Sequence, residues 1–188
     1  MTKTLDRIAA EQGTDKHQHG YCLHYERHFA HLQDAAINVL EVGTYYGASV
    51  RMWHEWFSQA HITGIDINPY GEYPESPRVR VVQGDVKTWA PEVEFHVIVD
   101  DGSHLPTDII LAFERLWPVL APGGYYAIED WHVQWDSDWQ GDARTGSRAV
   151  GLVHELIDHV LREDFRRECD EVHVYPQLSI LRKAAARD

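Results

Sequence analysis

Two strand-like runs that each end in a pair of acids constrain this chain more than any other feature. Val97-Ile98-Val99 leads into Asp100-Asp101-Gly102-Ser103-His104, and Tyr125-Tyr126-Ala127-Ile128 leads into Glu129-Asp130. An apolar, β-branched run broken by acids and a turn glycine reads as a buried parallel strand ending in a functional loop. Neighbouring carboxylates repel one another unless something cationic sits between them. The rest of the chain is read around that pair of strand ends.

The segments before and after them alternate between strand and helix patterns. A short helix over residues 4–12 stops at Gly13, and Gly13-Thr14-Asp15-Lys16 follows as a turn. A second helix runs over Tyr21–Gln33. Ile37–Val42 is a strand, and Ala48–Ser58 a helix with Val50, Trp53, Trp56 and Phe57 on one face. Strands follow over residues 62–67, 79–82 and 95–99, and the link 68–78 carries Pro69, Pro74 and Pro77, which leave no room for a helix of normal length. Thr107–Leu120 reads as a helix that Pro118 ends early, and Ala121-Pro122-Gly123-Gly124 is the turn into the fifth strand. An irregular region over residues 131–147 precedes a helix over 149–162, and Val172–Leu181 folds into two strands on a tight turn. This pattern predicts an α/β, Rossmann-like, doubly wound and mostly parallel sheet with a C-terminal antiparallel hairpin. Residues 1–34 form a helical cover segment and residues 35–188 the domain proper. In such sheets ligands bind outside the carboxyl ends of the strands, where this reading places the acids.

Composition narrows the partners. Seventeen Lys and Arg against 30 Asp and Glu give a net charge of −13, and there is no basic run. Nucleic acid and anionic membrane are therefore poor partners. Met1-Thr2-Lys3-Thr4-Leu5-Asp6 lacks the apolar core of a signal peptide, and no later run is long enough to span a bilayer. Cys22 and Cys169 lie far apart and match no metal spacing, which suits idle thiols in a reducing cytoplasm. His17, His19, His24, His28 and His31 crowd the first helices, but no third ligand at fixed spacing completes a zinc site.

The first strand-to-helix turn reads Glu41-Val42-Gly43-Thr44-Tyr45-Tyr46-Gly47. A dinucleotide turn needs a middle glycine so that a pyrophosphate can approach the backbone, and Tyr45 holds that position. A cofactor without phosphate is still accommodated. Asp66, ending the second strand, suits a two-point grip on ribose hydroxyls, and Asp85, after the third, can accept from an adenine amino group.

These pieces, with Gly64-Ile65-Asp66, Gln83-Gly84-Asp85 and Pro122-Gly123-Gly124, resemble the class I S-adenosylmethionine-dependent methyltransferases. The resemblance implies S-adenosyl-L-methionine as cofactor, held by Glu41, Gly43, Gly47, Asp66, Asp85 and Asp100. In that fold the fourth and fifth strands are neighbours, about 4.8 Å apart, so Asp101, Glu129 and Asp130 converge. Three hard oxygen donors suit Mg²⁺, then Mn²⁺ or Ca²⁺. A metal there would lower the pKa of a substrate hydroxyl, with His104 as general base. Asp100–His104 together with Ile128-Glu129-Asp130-Trp131 is similar to the metal-dependent sugar O-methyltransferases of antibiotic biosynthesis, the mycinamicin and macrocin type. Gly13-Thr14-Asp15-Lys16 and Tyr25-Glu26-Arg27-His28-Phe29 resemble segments of the same group. Catechol O-methyltransferases carry an asparagine and a lysine base where this chain has Asp130 and His104.

The implied partner is a small hydroxylated acceptor of glycosyl or polyketide type, in a pocket either open or completed by another subunit of a homo-oligomer. Trp131, Trp135 and Trp139 recur every four residues and are expected to wall that pocket. Three other readings compete: a cephalosporin hydroxylase-like enzyme on the same scaffold, a non-catalytic cofactor-binding partner, and a nicotinamide dehydrogenase, which lacks its middle glycine.

Overall fold

The computed structural model describes residues 3–131 and 168–186, together with Gly151 and His154. The expected helix over 149–162 and the side chains of Trp135 and Trp139 lie outside the described residues. Among the described residues seven strands form a mixed sheet, mostly parallel, and the chain divides into two compact units, Met1–Asp85 and Val86–Asp188.

In the first unit α1 (Leu5–Gln12) begins where the Thr4 hydroxyl accepts from the Arg7 amide and ends at Gly13 in the left-handed region. Gly13 can adopt φ +76° without the steric cost any other residue would meet. Helix α2 (Tyr21–Phe29) is shorter than the sequence pattern suggests, because residues 30–32 tighten into a 3₁₀ turn. Tyr25 is fully buried and meets Trp53 edge to face at 5.2 Å, which fastens α2 to α3 (Ala48–Trp56). An aromatic side chain buried in this way contributes roughly 1.5–3 kcal/mol. Strands β1 (Asn38–Val42), β2 (His61–Asp66) and β3 (Val79–Gln83) pair in parallel in the order β3-β2-β1. Val42 faces Ile65, and Asp66 faces Gln83. The carboxyl ends of β1 and β2 therefore stand level, with the Gly43–Gly47 turn and Asp66 on the same edge.

The second unit holds β4 (Phe95–Asp100), β5 (Leu120–Glu129), β6 (Cys169–Tyr175) and β7 (Leu178–Lys183) in the order β4-β5-β7-β6. β5 runs parallel to β4 and antiparallel to β7, and the register sets Asp100 beside Ile128 and Glu129 beside Leu178. Helix α4 (Pro106–Leu116) opens on a proline, whose fixed φ suits a first turn, and gives way to a 3₁₀ turn at Trp117-Pro118-Val119. Its Phe113 ring packs edge-on against Tyr126 at 5.1 Å. Pro122-Gly123-Gly124 lies inside β5 rather than before it. The pairing with β4 starts at Leu120, slips, and resumes at Tyr125. The β6–β7 hairpin turns at Pro176-Gln177, with Gln177 left-handed at φ +65°. No helix among the described residues is long and apolar enough to cross a membrane.

Candidate active site

The turn expected to hold the cofactor lies in the first unit. Gly43 and Gly47 are left-handed, φ +81° and +78°, and a Cβ on Gly47 would stand 2.7 Å from the Glu72 carbonyl oxygen. Asp66 holds the turn from below. Its Oδ2 accepts from the amides of Thr44 at 2.7 Å and Tyr45 at 3.0 Å, and its Oδ1 from the Asn68 amide at 2.8 Å. Burial pushes this carboxyl up, but the donors from Asn68, Thr44 and Tyr45 outweigh it and hold it below the usual carboxylate range. The expected grip on ribose thus has Oδ1 available for one further donor, while Oδ2 serves the turn. Asp85 follows β3, half-buried. Glu41 is placed differently from a ligand-facing acid: it is wholly buried, accepting from Ser49 Oγ at 2.8 Å and Trp53 Nε1 at 3.3 Å.

The acidic corner lies in the second unit. One ligand atom each from Asp101, His104 and Asp130 falls within 4.8 Å of the others, and His104 Nε2 stands 3.9 Å from Asp101 Oδ1. Glu129, almost fully buried at the end of β5, is outside that converging set. Two of the three converging residues carry backbone strain, His104 at φ +58° and Asp130 at +51°. Such conformations cost about 1–3 kcal/mol each and persist where the surroundings over-determine them. For Asp130 the restraint is its amide, which donates to the Gln177 carbonyl at 2.8 Å, so the hairpin turn holds it. For His104 it is Asp108, in the first turn of α4. Asp108 accepts from Ser103 Oγ at 2.7 Å and from Lys87 Nζ at 2.8 Å, pinning the loop that presents the imidazole. Behind the corner, burial pushes the Asp100 carboxyl up to about 7. The Tyr126 hydroxyl and Gly102 amide oppose that rise, and the charges of Asp101 and Asp108 add to it.

The stretch from β1 through both acid-bearing strand ends, residues 40–131, matches a family model described as a methyltransferase domain. Residues 40–131 are a methyltransferase domain. The domain is similar to 8-demethyl-8-alpha-L-rhamnosyl tetracenomycin-C 2'-O-methyltransferase of Streptomyces olivaceus, at 30% identity over 96% of this chain and 55% of that protein. It is also similar to mycinamicin VI 2''-O-methyltransferase of Micromonospora griseorubida, at 32% identity over 78% of this chain and 41% of that protein. Among solved structures, the MycE methyltransferase of the mycinamycin pathway, in complex with Mg, SAH and mycinamycin VI, superposes with a TM-score of 0.85. It is 28% identical, and the match covers 98% of this chain and 55% of that one. The chain spans about half the length of the relatives it matches. The class I methyltransferase fold and the likeness to antibiotic-sugar O-methyltransferases, both expected from the strand-end motifs, are borne out by these matches.

Several residues that shape the methyltransferase domain's site had no assignment from sequence. Gly71 sits in the proline-rich link, and a Cβ there would collide with the Tyr46 carbonyl carbon and stand 2.6 Å from the Gly47 amide nitrogen. Tyr73, in the same link, reaches Thr44 Oγ1 with its hydroxyl at 2.8 Å. Asp108 is visible in the sequence only as an acid in a first helical turn, which the helix dipole explains by itself.

Proposed function

We propose that this chain is a metal-dependent S-adenosylmethionine O-methyltransferase acting on a hydroxyl of a small glycosylated or polyketide-type acceptor. The observation that carries the reading is the convergence of Asp101, His104 and Asp130 at the loop ends of two parallel strands. The likeness to O-methyltransferases of a rhamnosyl tetracenomycin and of mycinamicin VI supports the acceptor class. The donor set suits a hard divalent cation: Asp101 and Asp130 would hold Mg²⁺ or Mn²⁺, with Glu129 as the further carboxylate at the same strand end. Such an ion supplies Lewis acidity that lowers the pKa of a bound hydroxyl. His104, within reach of the same volume, takes the hydroxyl proton on Nε2. Gly43, Gly47, Asp66 and Asp85 would hold the cofactor, the two glycines by letting it approach the backbone and Asp66 through Oδ1. Cys22 and Cys169 are buried and not joined in a disulfide, which suits action in the reducing cytoplasm.

Calorimetric titration of S-adenosylmethionine into chelator-treated protein, repeated with Mg²⁺, tests the cofactor half. Micromolar binding, followed by formation of S-adenosylhomocysteine with glycosylated polyketide acceptors, is the expected result. No binding under either condition would sink the reading. Asp108→Asn is expected to lower kcat about tenfold, the loss of a charge-assisted bond to the loop, with the affinity for S-adenosylhomocysteine unchanged. A fall in cofactor affinity instead would place Asp108 in general folding rather than in presenting His104.

A further inference from the structure

Lysine is almost never fully buried unless it is paired, and Lys16 is fully buried. The route of the chain explains how it gets there. Gly13 ends α1 in the left-handed region, and the amides of both Gly13 and Thr14 return to the Ala9 carbonyl at 2.9 and 3.1 Å. The chain then doubles back, and the Lys16 carbonyl accepts from the Tyr21 amide at 3.0 Å as α2 begins. This turn sends the Lys16 side chain inward, where its Nζ stands 3.6 Å from Glu41 Oε1, both side chains being wholly buried.

Glu41 belongs to β1, two residues before Gly43. It also accepts from Ser49 Oγ and Trp53 Nε1, which belong to the first two turns of α3, immediately after Gly47. One carboxylate therefore joins the strand that enters the cofactor turn to the helix that leaves it. Charge on a carboxylate in a dry interior is costly unless cations and hydrogen-bond donors offset it, and Lys16 is a cation 3.6 Å away. We propose that Lys16 is a positioning residue for the cofactor turn: with Glu41 and Ser49 it sets the spacing between the ends of Gly43–Gly47. The N-terminal turn Gly13-Thr14-Asp15-Lys16 is then part of the cofactor-binding apparatus. The inference rests on the proposed cofactor, but its physical core, an ordered turn, can be read without one.

The experiment compares the wild-type chain with Lys16→Met/Glu41→Gln, which removes both charges without stranding either, and with the milder Ser49→Ala. Amide hydrogen exchange is measured at Gly43, Thr44, Tyr45 and Gly47, all hydrogen-bonded in the structure, and S-adenosylhomocysteine is titrated by calorimetry. Faster exchange confined to the turn is expected in both variants. The double variant is also expected to bind S-adenosylhomocysteine at least about tenfold more weakly, with acceptor KM at saturating cofactor unchanged. Folded variants with wild-type exchange in the turn and wild-type affinity would overturn the proposal. A wild-type chain that binds no S-adenosylhomocysteine, while the variants still loosen the turn, would remove the cofactor reading and leave the positioning role of Lys16 standing.

Discussion

Chelation is expected to abolish methyl transfer, Mg²⁺ to restore it, and Asp101→Ala to remain inactive however much Mg²⁺ is added. Asp101 and Asp130 approach each other at strand ends with His104 beside them, and two carboxylates in a confined volume repel unless a cation joins them. Metal assistance to a hydroxyl nucleophile supplies several kcal/mol, and about 4 kcal/mol corresponds to a rate loss on the order of 10³-fold. Removing Asp101 takes away one of the two converging oxygens and one formal charge, so added Mg²⁺ finds a weakened site. Formation of S-adenosylhomocysteine in EDTA and after Mg²⁺ addition measures the rate. The thermal midpoint with and without Mg²⁺ gives a reading independent of turnover: it should rise in the wild-type chain and stay flat in Asp101→Ala. Full activity in EDTA would remove the metal from the reading.

Gly71→Ala is expected to weaken S-adenosylhomocysteine binding by roughly tenfold or more while the variant still folds, since overpacking at one backbone contact costs about 1–3 kcal/mol. The added methyl would press on the Tyr46 carbonyl and on the Gly47 amide, which themselves belong to the cofactor turn. Neither neighbour is the free end of a side chain that can swing aside. The strain would pass directly into Gly43–Gly47, where Thr44 and Tyr45 amides are already committed to Asp66. Ala at Gly13 provides the contrast. No atom lies within 4 Å of its added Cβ, so its cost comes from the left-handed backbone alone and falls on α1. Calorimetry on both variants separates the two effects, and equal loss of cofactor affinity in both would contradict the assignment to the turn.

The acid-ended strands were legible because their signal is local: a buried run stops and charged residues begin, at Asp100-Asp101 and again at Glu129-Asp130. The strand alternation and the hairpin followed from period and turn residues alone. Where sequence reasoning fell short, the missing information was which way a side chain faces. Glu41 was read as an acid at a ligand-binding strand end, yet the packing of α3 and the return of Lys16 turn it into the interior. Asp66 was assigned to ribose with both oxygens, and the structure commits one of them to the turn amides. Pro122-Gly123-Gly124 was read as a turn before β5, but a slip in register lets the strand carry it. The roles of Gly71 and Asp108 depend on contacts between segments distant in sequence, which no local pattern records.

The bond from the Asp130 amide to the Gln177 carbonyl has a consequence for the order in which the protein is made. Asp101 and Asp130 leave the ribosome well before the β6–β7 hairpin, and until that hairpin docks the left-handed Asp130 lacks the Gln177 carbonyl that its amide meets in the folded chain. The nascent chain would therefore carry Asp130 without this restraint until the hairpin is made. If the proposed cation binds at Asp101 and Asp130, pairing of β7 with β5 completes the backbone that presents Asp130, and cation affinity would then report that the second unit has finished folding.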